Sequence, residues 1–196
     1  MTIWSTSPQH IGTMAERAAR ALQKGKVLIC PTDTVYGLIA DATNRKAVQK
    51  VFVVKKREQG KPLPVFVKDI AMAKRLAKVS PLQERFLKKV WPGKVTVVLP
   101  SKDRLPKELG ASQTIGLRIP RNELIQHILE KFGKPLTGTS ANVSGTPSLS
   151  DSKEIMLQFK TQKHTPDILV DAGKLPFSRP STVIDITKEK PVVLRT

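Results

Sequence analysis

Apolar residues follow two rhythms along this chain, and each change of rhythm marks a change of element. Ile11, Met14, Ala15, Ala18 and Leu22 recur at helical spacing behind Ser7-Pro8, an N-cap and first-turn pair, and Gly25 supplies the stop. Val27–Ile29 is a short apolar run of buried-strand type, broken at Pro31, which lacks a backbone donor. Thr32-Asp33-Thr34 then reads as a polar turn, and Val35–Ala40 resumes the apolar run with Gly37 marking a bend or a close approach. Asn44 caps a helix from Arg45 to about Lys56, with Ala47, Val48, Val51 and Phe52 facing inward. A strand at Leu63–Val67, a helix from Ile70 to Val79 and a second helix opened by Ser80-Pro81, with Gln83 in capping-box position, lead to Pro92-Gly93. Val95–Leu99 and Ile115–Ile119 read as strands on either side of a basic loop, Ser101–Gln113, which has no clear period.

Asn122 caps a helix carrying Leu124, Ile125, Ile128 and Leu129, and Gly133 ends it. A strand at Leu136–Thr139, a weaker helix near Lys153–Phe159, and strands at Asp167–Asp171, Thr182–Ile186 and Val192–Leu194 complete the pattern. Strands and helices alternate without repeats or linkers, which predicts one α/β domain over residues 1–196 with a twisted, mixed sheet.

Charge changes the picture more than size does. A formal net charge of +18 and a pI near 10.3 bias the partners toward polyanions: nucleotides, RNA or anionic membrane surfaces. No apolar run approaches the length of a membrane-spanning helix, and the amino terminus lacks the basic-then-apolar order of a secretory signal. Cys30 is the only cysteine, which excludes a disulfide framework or a cysteine-rich metal site. The expectation is a cytoplasmic protein with no membrane partner, its one thiol acting as a small buried hydrophobe.

Several enzyme signatures are missing. Gly60-Lys61 is followed by Pro62 rather than by the start of a phosphate-cradling helix, and no G-x-G-x-x-G follows a strand. His10, His127 and His164 are scattered, which argues against a histidine metal site or a Ser-His triad. What remains are cations and hydroxyls at strand ends. Lys55, Arg57 and Lys61 share one connection and could clamp a polyphosphate, with a solvated basic surface as the competing reading. Arg118 sits inside an apolar strand, where it needs an anionic ligand, a structural ion pair or a place on a solvated edge. Ser140-Ala141-Asn142-Val143-Ser144-Gly145 is either a cluster of neutral donors for phosphate oxygens or an ordinary turn. Ser181-Thr182 repeats the theme, and Arg195 ends the last strand. Asp33 and Asp41 are the nearest carboxylates, and neither has an assigned role.

Taken in order, PTDTVYGL, K-x-R with a later K-P-L, L-R-I-P, T-S-A-N-V-S-G and S-T-V-I-D resemble the YrdC-like threonylcarbamoyl-AMP synthase family in its short, single-domain form. The resemblance covers essentially Lys26 to Arg195. It implies an open, twisted α/β sheet with a large, positively charged concave cavity. It further implies a nucleotidyltransferase that joins threonine, bicarbonate and ATP into threonylcarbamoyl-adenylate, with release of pyrophosphate, for threonylcarbamoyladenosine formation on tRNA. Carried over by residue, it puts Thr34, Arg118 and Ser181 around threonine. Arg57, Lys61, Thr114, Ser140, Asn142, Ser148 and Arg195 fall around ATP, and Lys55 and Arg57 take the catalytic positions.

Mg²⁺ is expected with ATP and no protein metal site is implied. The expected macromolecular partners are tRNA or other double-stranded RNA and a downstream threonylcarbamoyl transferase. Long family members continue past the final strand into a second domain, so a lid from such a domain is expected to be missing. Phe66 stands where long members can carry a polar residue near threonine. The competing functions are a carbamoyl-handling enzyme on the same fold and an RNA-binding module without chemistry.

Overall fold

The computed structural model describes residues 1–58, 60–110, 113–188 and 190–196. Gln59 of the basic cluster and Ala111 and Ser112 of the basic loop therefore lie outside the described residues. In chain order the elements are β1 (Thr2–Ser5), α1 (Ile11–Gln23), β2 (Leu28–Cys30), β3 (Gly37–Ile39), α2 (Arg45–Lys55), β4 (Val65–Phe66), α3 (Ile70–Leu76), α4 (Pro81–Val90) and β5 (Val95–Pro100). They continue with β6 (Thr114–Arg118), α5 (Glu123–Phe132), β7 (Leu136–Thr137), β8 (Thr139–Ser140), α6 (Ser152–Lys160), β9 (Ile168–Asp171), β10 (Thr182–Asp185) and β11 (Val192–Arg195).

Local chemistry sets most of the helix ends. The Asn44 side chain accepts from the backbone N–H of Ala47, and Asn122 accepts from Ile125. Ser80 and Gln83 close a full capping box at the start of α4. Two ends differ from the pattern. Ser7 bonds His10 instead of the backbone, and one 3₁₀ turn over Pro8–His10 precedes α1. Helix α3 stops at Leu76, short of Val79, because Lys78 N–H turns aside to the carbonyl of Pro100 and Ala77 bridges Ser101. Strand pairing outbids the last helical turn there.

The mixed sheet of the sequence pattern is present, divided into two ladders. One runs β1-β9-β2-β3-β8 and the other β11-β10-β5-β6-β4-β7, each with parallel and antiparallel pairs. The expected strand Leu136–Thr139 is where they part: β7 pairs with β4 and β8 pairs with β3, with Gly138 between them. A Cβ on Gly138 would lie 2.5 Å from the Phe66 ring, so only glycine lets the chain pass. Mutual hydrogen bonds between Ala40 and Thr137, both 2.9 Å, keep the ladders joined along this seam. Strand β1 was not legible in the sequence. It is a largely exposed edge that pairs parallel with β9, and that partner, rather than an apolar run, gives it order.

The pleat distributes the core. From the β2 segment Val27 and Ile29 join the cluster that contains α2, while Leu28 and Cys30 join the one formed with α1 and α5. Cys30 is fully buried, and burial pushes its thiol pKa far up, as befits an inert packing residue. The basic loop is less plain than its sequence: Leu105 and Leu109 are buried and the latter ends a short 3₁₀ turn.

Candidate active site

A cavity of about 880 Å³ lies at the crease between the two ladders. One wall comes from the turn before β3 and the loop after β8, the other from β5, β6, β10 and β11. Lys55, Lys56, Arg57, Lys61, Arg118 and Arg195 line it, against the carboxylates of Glu58 and Asp185. The structure brings every sequence-predicted site residue to this one space, Thr34, Thr114, Ser140, Asn142, Ser148 and Ser181 included.

Helix α2 delivers the first group. Lys55 ends it on the inner side, and its ammonium is almost fully buried. It donates to the carbonyls of Ser140 and Asn142 at 2.7 and 3.0 Å and to Asn142 Oδ1 at 2.8 Å, with Ser140 Oγ at 3.3 Å. Burial, and after it the neighbouring Arg57 guanidinium, lowers its pKa from 10.5 to about 8. Four oxygens facing one nitrogen suit a charged donor, so Lys55 ties down the loop after β8 and keeps a positive charge beneath it.

Lys56 then takes a left-handed conformation, φ 49°, which turns the chain and sends Arg57 across the cavity wall. Arg57 donates to the carbonyls of Lys61 and Pro62, and Lys61 pairs with Glu58 at 2.7 Å on the exposed rim. The three cations of this connection thus line one cavity, each engaged by a different set of partners.

Arg118 occupies the opposite wall at the end of β6, with a side chain 4% exposed. Its Nη2 meets Asp33 at 2.6 Å and its Nε donates to the Gly93 carbonyl at 2.9 Å. Asp33 also accepts from the Arg121 backbone N–H at 3.0 Å. The structural ion pair considered for Arg118 is therefore real, and Asp33, without a role in the sequence, is its partner. Nη1 has no hydrogen bond to any described residue, which leaves a free guanidinium edge on a residue of the cavity wall. Beside Asp33, the Thr34 hydroxyl meets Thr32 Oγ1 at 3.1 Å.

Ser181 is held by Thr96, Oγ to Oγ1 at 3.1 Å, and by Arg195, which donates to its carbonyl at 2.7 Å and its hydroxyl at 3.2 Å. Thr32, Thr96 and Lys56 line the cavity without having been assigned a site role from the sequence. The T-D-T turn pointed to the first, while Thr96 lies in an apolar strand whose pattern gave no chemical signal.

Fold and cavity together define an α/β protein with a cationic, hydroxyl-rich ligand site at a sheet crease, a geometry suited to a multiply charged anion. The chain belongs to the Sua5/YciO/YrdC family, whose model, described as telomere recombination, matches residues 20–196. A Methanocaldococcus jannaschii protein named putative threonylcarbamoyl-AMP synthase is 36% identical over 193 residues, which cover 98% of this chain and 90% of that protein. The crystal structure of Pyrococcus abyssi Sua5 complexed with L-threonine superposes with a TM-score of 0.88 at 31% identity, over 99% of this chain and 56% of that one. Escherichia coli YciO superposes with a TM-score of 0.86 at 28% identity, over 100% of this chain and 95% of that one. The chain spans 52% of the length of the Pyrococcus abyssi and Bacillus subtilis relatives named threonylcarbamoyl-AMP synthase.

Proposed function

We propose that this protein is an L-threonylcarbamoyladenylate synthase, making threonylcarbamoyl-AMP and pyrophosphate from threonine, bicarbonate and ATP. One observation carries the reading: a single cavity gathers Thr34, Arg118 and Ser181 with Arg57, Lys61, Thr114, Ser140, Asn142, Ser148 and Arg195. The names of the relatives, and the threonine held by the Pyrococcus abyssi protein, support it.

In this reading the free edge of Arg118 takes the threonine carboxylate and the Thr34 and Ser181 hydroxyls orient the rest. Bicarbonate takes up a proton and loses water to give carbon dioxide; the neutral threonine amine adds to that carbon, forming the C–N bond, and the proton it releases balances the one taken up. A carbamate oxygen then attacks the α-phosphorus, and the bond to pyrophosphate breaks. Arg57, Lys61 and the charge of Lys55 beneath its loop stabilise negative charge on the carbamate and the leaving group.

Mg²⁺ would arrive with the nucleotide, since among the described residues no three His, Cys, Asp or Glu side chains gather around a common point. The adenylate would be consumed by a transferase that acts on tRNA in the cytoplasm. Direct tRNA contact through the +18 charge would weaken steeply with salt. No described helix is long and apolar enough to cross a membrane.

The test is mass detection of threonylcarbamoyl-AMP from protein, ATP, threonine and bicarbonate, with pyrophosphate measured alongside. Pyrophosphate release is expected to need both threonine and bicarbonate. Release that proceeds equally well without threonine would leave a plain ATPase.

A further inference from the structure

The loop after β8 holds one polar group that nothing in the fold explains. Ser144 lines the cavity, yet its Oγ is buried without a hydrogen-bond partner. Ser140, Asn142 and Thr146 on the same loop are engaged. Ser140 Oγ donates to Asn142 Oδ1 at 2.6 Å, the Asn142 amide donates to the Thr146 carbonyl, and Thr146 Oγ1 donates to the Val143 carbonyl at 2.8 Å. The backbone here is pinned as well: Ser144 N–H donates to the Lys55 carbonyl at 2.8 Å, and Val143 N–H to Gln158 Oε1 at 3.1 Å. Thr6 has the only other such hydroxyl among the described residues, and it is not on the cavity wall. A buried hydroxyl left unmet costs free energy that a partner would recover.

We propose that Ser144 is a further nucleotide-binding residue, whose hydroxyl turns about χ1 into the cavity and donates to a phosphate oxygen. The proposal rests on the nucleotide reading above and adds Ser144 to the residues that the resemblance puts around ATP, singling it out from a loop whose sequence left donor cluster and ordinary turn both open. The class of ligand follows from the surroundings. The Lys55 ammonium lies beneath the same loop and Arg57 lines the same cavity, so an anionic oxygen is the ligand atom these surroundings favour there, and a hydroxyl meets it as a donor. An unpartnered hydroxyl reserves that donor for the ligand, and the pinned backbone fixes where it is presented.

Ser144→Ala separates this role from a structural one because the two effects have opposite signs. Removing an unmet hydroxyl leaves the unliganded protein as stable as before or more so, whereas removing a ligand donor weakens binding. Titration calorimetry with ATP and with pyrophosphate, on wild type and variant, is paired with thermal unfolding of both proteins without ligand. Both probes are expected to bind the variant about tenfold more weakly, the size of one hydrogen bond to a charged group, with an unliganded Tm unchanged or raised. Affinities within about twofold of wild type, or a lowered unliganded Tm, would overturn the proposal. So would a loss confined to ATP, which would move the contact to the nucleoside. Wild-type protein that binds neither probe would overturn the nucleotide reading itself, and this proposal with it.

Discussion

Replacing Lys55 with Met keeps the length of the side chain and removes its charge, and the consequence for stability depends on pH in a direction fixed by the structure. Burial, with Arg57 nearby, holds the Lys55 pKa at about 8, against 10.5 for an ordinary lysine. At roughly 1.4 kcal/mol per tenfold, that difference makes the buried ammonium cost on the order of 3 kcal/mol below pH 8. The folded pKa lies below the unfolded one, so the unfolded chain binds the extra proton and stability rises as pH climbs from about 8 toward 10.5. Between pH 8 and pH 10 the rise from this one group is roughly 2 kcal/mol. Other lysines titrate in the same range in both proteins and cancel when the two are compared. Urea unfolding of wild type and Lys55→Met at pH 7, 8, 9 and 10 should therefore show wild type gaining on the variant by about that amount. A difference that stays flat across the series would mean that the four oxygens around Nζ fully offset its burial, and would refute the reasoning.

Other perturbations probe the two walls separately. Arg57→Ala and Lys61→Ala should each weaken ATP binding while the circular dichroism spectrum is retained. The cost is about 1.5–3 kcal/mol for the half-buried Arg57 and less for the exposed Lys61, and calorimetry showing unchanged affinity in both would return the cluster to a solvated basic surface. Asp33→Ala strands the buried Arg118 guanidinium and should cost about 3–5 kcal/mol of unfolding free energy, so a denaturation midpoint equal to wild type would show that Arg118 does not need its partner. Lys56→Gly relieves a left-handed backbone and should stabilise by roughly 1 kcal/mol, unless Lys56 contributes a contact that glycine cannot. A fall in thermal midpoint would point to that contact.

How much of this protein could be read from its sequence depends on the distance over which each feature is decided. Asn44, Ser80 with Gln83, Asn122 and Gly133 set helix ends through hydrogen bonds or dihedral choices within four residues, and the sequence by itself determined them. The alternation of apolar runs settled the α/β class, and the motifs marked the groups that line the cavity. What only the tertiary structure decided is how those groups face one another. Asp33, in the turn before β3, and Arg118, at the end of β6 in the other ladder, are 85 residues apart, so no local pattern could pair them. The inward turn of Lys55 depends on oxygens supplied by a loop 85 residues further on, and its sequence looks like part of a solvated basic run. The need for glycine where the sheet parts follows from the ring of Phe66, a steric clash between segments that meet only once the strands have paired. Hydrogen-bond geometry within a few residues is written in the chain. The balance of burial, charge and close approach across the crease exists only after folding has brought both walls together.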